Sequence, residues 1–102
     1  MFARMTTLQG SAAKVADSIK AVQEQVIPSA QKMPGFKGMI ALADRKSGKM
    51  IGITLWESED AMRQSAEAAN RLRSASAASA GTEIVNVEQF EIVADTLASS
   101  IR

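Results

Sequence analysis

An α+β domain, with a four-stranded antiparallel sheet and two helices on one of its faces, is predicted by three features of the sequence. Four short runs are rich in apolar and β-branched residues, and two longer segments repeat apolar residues every three or four positions. Glycine, proline and polar turn clusters separate them, which sets the order β, α, β, β, α, β. With 102 residues and 46% apolar composition, the chain has material for one core. The expectation is a single domain over residues 1–95 and a loosely ordered C-terminal tail over 96–102.

Residues 2–9 mix apolar side chains with threonine and stop at Gly10, which suits a first strand. From Ser11, a candidate N-cap, the apolar positions Ala12, Val15, Ile19, Val22 and Val26 form one helical stripe. Lys14, Asp17, Lys20, Gln23 and Glu24 fall mostly off it. Pro28 lacks the amide a helical turn needs, so the helix is expected to end or kink there, with Pro34-Gly35 as a firm break.

Two extended runs between Phe36 and Trp56 flank Asp44-Arg45-Lys46-Ser47-Gly48, a hairpin signal in which Gly48 can take a positive φ. The second run places Ile51, Ile53 and Leu55 on one face and Met50, Gly52, Thr54 and Trp56 on the other. The first places Phe36, Gly38, Ile40 and Leu42 opposite Met39, Ala41 and Ala43. Neither run has a polar face.

A second helix should begin at Ser58, with Glu59 and Asp60 in its positive first turn. Its buried stripe would hold Met62, Ser65 or Ala66, Ala69, Leu72 and Ala75 or Ser76. The run 74–80 is low in complexity and is expected to fray before Gly81 ends it. A last strand follows from Thr82 to about Ala94.

Composition narrows the function classes. Twelve basic and eleven acidic residues give a net charge of +1 and are scattered along the chain, which argues against nucleic acid as a partner. Only three Phe and one Trp are present, and no strand carries a basic-aromatic RNA-binding pattern. The absence of cysteine removes disulfides, thiolate metal sites and thiol nucleophiles. Without an apolar leader near Met1 or a run of roughly 18 apolar residues, the expectation is a cytoplasmic protein with no membrane association. No phosphate-binding loop, nucleophile elbow or histidine-based metal motif occurs, so no metal and no cofactor are expected.

The element order is that of a ferredoxin-like βαββαβ domain, in which both helices cross the same sheet face. The other face, holding Ile51, Ile53 and Leu55, would then expose more apolar area than soluble monomers tolerate. A homodimer through the open sheet face removes it from water.

The runs Met33-Pro34-Gly35-Phe36-Lys37-Gly38, Leu42-Ala43-Asp44-Arg45 through Gly48, and Ile53 through Met62 resemble the antibiotic biosynthesis monooxygenase-like members of the dimeric α/β-barrel superfamily. That resemblance covers the element order of nearly the whole chain, and its specific part is residues 33–62. It implies two ferredoxin-like subunits paired into a dimeric α/β barrel, with a ligand pocket between helices and sheet in each. Trp56, Thr54 and Gly52 would face that pocket, and Ile51, Ile53 and Leu55 would enter the dimer. Many relatives of this kind oxidise polycyclic phenols with molecular oxygen and without metal or flavin. A haem-degrading branch also carries a pocket tryptophan like Trp56 in its Trp-x-Ser-Glu setting. Its iron ligand is a histidine of the second helix, and this chain has no histidine, tyrosine or cysteine to take that place.

The candidate ligand-binding residues are Trp56, Thr54, Arg4, Thr6, Asn86 and Met62, and no catalytic residue is assigned. Trp56 offers a ring face and an indole N–H, and Arg4 is the one cation among them able to stabilise a phenolate. Each also suits a plain role: Trp56 as the largest core side chain, Thr54 as a β-branched strand residue, Arg4 as a solvent-facing edge charge. The function expected is binding or oxidation of a flat hydrophobic aromatic, phenolic compound by a cofactor-independent monooxygenase-like protein. The alternative is a non-catalytic small-ligand-binding or accessory homodimer on the same scaffold.

Overall fold

Four strands, β1 (Phe2–Gln9), β2 (Phe36–Ala43), β3 (Lys49–Trp56) and β4 (Glu83–Glu91), form one antiparallel sheet in the order β2-β3-β1-β4. These come from a computed structural model that describes residues 1–97. The sheet with its helices is the expected ferredoxin-like α+β fold. Beyond Glu91, Ile92 N–H still donates to the Met1 carbonyl at 2.9 Å, but residues 92–97 hold no regular structure. The last strand is therefore shorter than expected, and most of the anticipated C-terminal tail, 98–102, lies outside the described residues.

The hairpin between β2 and β3 forms where expected. Asp44 Oδ1 accepts the Lys46 N–H at 2.9 Å and the Ser47 N–H at 3.4 Å, an Asx-type turn, and these bonds hold its carboxyl below the usual aspartate range. Gly48 closes the loop at φ +81°. One face assignment differs. The β2 register shifts between Phe36 and Gly38, so Phe36 pairs with Trp56 while Gly38 pairs with Leu55. The irregularity carries Phe36 to the side of Trp56, where their rings meet edge to face at 5.6 Å.

The first helical stretch is not a uniform helix. It starts as a 3-10 turn at Ala12–Lys14, continues as α1 (Val15–Ala21), widens into a π-turn at Val22–Val26 and ends as α2 (Ile27–Ala30). Ser11 is extended at its start but makes no side-chain cap, and Ala12 is exposed, so the buried stripe begins at Val15. Pro28 does not end the helix. Ile27 N–H reaches back to the Val22 carbonyl, one residue beyond the α pattern, and the proline then occupies the first turn of α2, where a missing amide costs little.

The second helix divides into α3 (Glu59–Gln64) and α4 (Ala66–Ala80). Ser58 Oγ caps the start by accepting the Ala61 N–H at 3.1 Å. The break falls at buried Ser65, whose hydroxyl donates to the Met62 carbonyl at 2.8 Å and competes with the helical ladder there. The alanine-serine run expected to fray stays helical to Ala80. Its Ser76, Ala77 and Ala80 are buried, because small side chains let the helix lie close to its neighbours, and Gly81 at φ +70° caps it.

The helices cover one sheet face and leave the other open. On the open side Ile40 pairs with Ile53 and Leu42 with Ile51 across β2 and β3, while Phe90 pairs with Ala3. Ile40, Leu42 and Phe90 are 42%, 48% and 48% exposed. Among the described residues, no helix is long and apolar enough to cross a membrane.

Gly48→Ala tests the hairpin. A Cβ at this positive φ would run into the Gly10 carbonyl and the Ser11 backbone, neither of which is a flexible side-chain end that could move aside. The expected loss in urea unfolding is about 2 kcal/mol or more.

Candidate functional site

Strand pairing decides which side chains share the covered face. Across β1 and β3, Phe2 stands opposite Trp56, Arg4 opposite Thr54, Thr6 opposite Gly52 and Leu8 opposite Met50. All of these except Phe2 line the floor of a cavity of about 80 Å³. Its roof comes from both helical stretches, through Val22 and Val26 of the π-turn and Ala69, Leu72, Arg73 and Ser76 of α4. Met33, Met39 and Met50 complete an otherwise apolar wall. Gly52 opens the floor, since a Cβ there would stand 3.3 Å from the Met39 methyl.

Arg4 is 3% exposed, and two neighbours, one in α3 and one in β3, hold it in place. Its Nη2 donates to the Met62 carbonyl at 2.7 Å, and its guanidinium carbon lies 5.4 Å from the Trp56 ring centre, within cation–π range. Trp56, 1% exposed, gives its indole N–H to Thr54 Oγ1 at 2.9 Å. Among the described residues Arg4 Nη1 has no partner, and the same is true of Ser18 Oγ and Arg73 Nε, all three atoms buried. Burial lowers the pKa of Arg4, with the charge of Arg73 adding to the effect, and burial likewise lowers that of Arg73.

The six sequence candidates divide. Trp56, Thr54, Arg4 and Thr6 lie together on the cavity floor. Asn86 does not join them. It pairs with Thr7, so it belongs to the opposite face and is exposed, because β4 carries a register shift between the partners of Thr7 and Leu8. Met62 is 2% exposed yet lines no part of the cavity, and it contributes its carbonyl to Arg4. The indole N–H expected to meet a ligand is occupied by Thr54. The solvent-facing alternative for Arg4 is ruled out by its burial.

Sequence reasoning missed Arg73 and Ser18. Both sit on the buried helical stripes, Ser18 between Val15 and Val22 and Arg73 four residues after Ala69 and before Ala77. A cation at three-and-four spacing with buried alanines was the available signal. The cavity lining contains no Asp, Glu, His or Tyr. Among the described residues no group of His, Cys, Asp or Glu is placed to hold a metal.

Thr54→Val removes the acceptor of a buried indole N–H. The expected cost is about 1–3 kcal/mol in chemical unfolding, with a shifted emission maximum of Trp56, the only tryptophan.

Comparison with known proteins places these features in context. The sequence profile of the family described as antibiotic biosynthesis monooxygenase matches residues 1–75. An uncharacterised protein of Mycobacterium tuberculosis is 35% identical over 94 residues, which is 92% of this chain and 42% of that protein. The chain thus spans less than half the length of the curated relatives it matches. Among solved structures, a monooxygenase of Streptomyces coelicolor in complex with nanaomycin D has a TM-score of 0.71 at 21% identity, covering 96% of this chain and 92% of that one. A cofactor-independent oxygenase of Streptomyces nogalater has a TM-score of 0.64 at 18% identity, covering 94% and 95%. At such identities the likeness establishes the shared fold.

Proposed function

The chain belongs to the antibiotic biosynthesis monooxygenase family, and we propose that its cavity binds a flat, hydrophobic aromatic compound and oxidises a phenolic ring with molecular oxygen. The observation that carries this reading is a largely apolar cavity whose polar floor is a buried cation stacked on Trp56. A phenolate inside it would lie next to fixed positive charge in a poorly hydrated space, which lowers the cost of forming the anion. The electrons come from the substrate: a polycyclic phenol and O2 yield a quinone and water. The chain's own contributions are to exclude water, orient the ring and hold the charge.

At about 80 Å³ the cavity is below the roughly 300 Å³ at which drug-sized pockets begin. Met33, Met39 and Met50 are the flexible part of its wall, and the π-turn is a second adaptable element. Entry of a polycyclic ring requires these to yield.

A second reading has an observation of its own. No lining side chain is an ordinary general base, since Asp, Glu, His and Tyr are all missing from the cavity. This favours a non-catalytic ligand-binding dimer on the same scaffold. Oxygen uptake with dihydroxylated naphthalenes and anthracenes separates the two. Uptake above buffer that falls at least about tenfold in Arg4→Met supports catalysis. Saturable quenching of Trp56 with no uptake supports binding alone, and neither signal overturns both.

A homodimer through the open sheet face belongs to the same proposal. Ile40, Leu42 and Phe90 form its exposed apolar surface, and a second copy supplies a matching one. Sedimentation at micromolar concentration should give twice the 10.8 kDa chain mass. Leu42→Glu should shift it to the single mass, and a well-folded parent at that mass would discard the dimer.

A further inference from the structure

Arginine has donors and no acceptors, and it keeps its charge in proteins. Two arginines line the cavity, and among the described residues no carboxylate lines it with them. Arg4 Nη1, Arg73 Nε and Ser18 Oγ are buried without a partner, while Arg4 and Ser18 are only 3% and 5% exposed. Buried polar groups in native proteins are overwhelmingly paired, so three orphans around one cavity indicate an acceptor that arrives from outside.

The sequence of α3 and α4 sharpens this. Arg63 and Arg71 each have an acid four residues earlier, Glu59 and Glu67, and both pairs form on the exposed surface. Arg73 has Ala69 and Ala77 at the same spacing, and its one hydrogen bond is to the neutral Asn70 Oδ1 at 3.2 Å. Arg4 likewise receives only the neutral Met62 carbonyl and the Trp56 ring. A water molecule would satisfy donors here but would leave the like charges of buried Arg4 and half-buried Arg73 uncompensated. An anion answers both.

Resting on the aromatic-binding reading above, we infer that the ligand is an oxyanion on a flat apolar body, its charged oxygen seated between Arg4, Arg73 and Ser18. Arg73 and Ser18 are thereby binding residues, with Trp56 and the methionines left to hold the apolar body. The shared chemistry is the oxyanion, which a carboxylate or a phenolate can supply. Burial lowers the pKa of both arginines, and the charge of Arg73 adds to the lowering at Arg4, the direction that a neighbouring anion would reverse.

Calorimetric titration of the intact protein with 2-naphthoate and its neutral isostere 2-naphthamide tests this, alongside the absorption spectrum of bound 2-naphthol. The expected result is naphthoate bound roughly tenfold or more tightly than naphthamide, the worth of a charge-assisted hydrogen bond. Naphthol bound as its phenolate at neutral pH identifies the phenolic source, and naphthol bound as the neutral phenol beside tight naphthoate identifies the carboxylate. Arg73→Met should bring the naphthoate preference down to about parity, because it removes one of the two cations that line the cavity. Arg73→Gln, which keeps a polar group, should lose the preference as well. Equal binding of naphthoate and naphthamide with neutral naphthol, or a preference unchanged in both variants, overturns this inference alone. Binding of none of the three overturns the aromatic reading and this inference with it.

Discussion

Arg4 lies mid-strand in β1, one of the two central strands, at 3% exposure, and a guanidinium in that position constrains everything around it. Its charge is heavily desolvated, so the surrounding elements must present electron density to it. The Met62 carbonyl does so from the last turns of α3, and the Trp56 face does so from β3. That carbonyl also accepts the Ser65 hydroxyl, at the point where α3 gives way to α4. The helical break, the seat of the tryptophan and the charge on the cavity floor are consequently parts of one arrangement. Thr54 closes it by taking the indole N–H, which fixes the ring over the cation.

The sheet beneath has two apolar faces, and the helices cover only one. The covered face is interrupted by Arg4, Thr6, Thr54 and Gly52, which leave space and polarity in a layer that would otherwise be solid core. The open face carries exposed Ile40, Leu42 and Phe90, with polar Thr7, Asn86 and Glu88 toward the β1–β4 side. One strand alternation thus separates the face that lines the cavity from the face left open. Neighbouring residues along β3, such as Gly52 and Ile53, serve different purposes because they point to opposite sides.

The roof differs from the floor in stiffness. Ladder hydrogen bonds on both sides of β1 and β3 hold the floor, whereas the roof passes through a π-turn at Val22–Val26 and is edged by methionines. A widened helical turn and unbranched thioether side chains are the components able to adjust to a ring system. Both layers bring charge to the cavity, Arg4 from the floor and Arg73 from the roof, while its adjustable components lie in the roof.

Element order, the Asp44–Gly48 hairpin, the Ser58 cap and the two faces of β3 could all be read directly from the sequence. Each depends on local chemistry: a turn residue at positive φ, a hydroxyl beside free amides, or alternation along one strand. Four of the six site candidates follow from the same alternation, because Arg4, Thr6, Thr54 and Trp56 lie on regular parts of adjacent strands. The misplacements occur where registers shift or helical geometry changes. Asn86 and Phe36 changed sides at strand irregularities, and Pro28 was absorbed by a π-turn that no periodicity announces. The arginine pair was decided only by tertiary structure: Arg4 and Arg73 are 69 residues apart in sequence, and nothing local requires α4 to lie across β1. Whether a cation ends up solvated or buried is settled by which surface folds over it, and that is a property of the assembled layers.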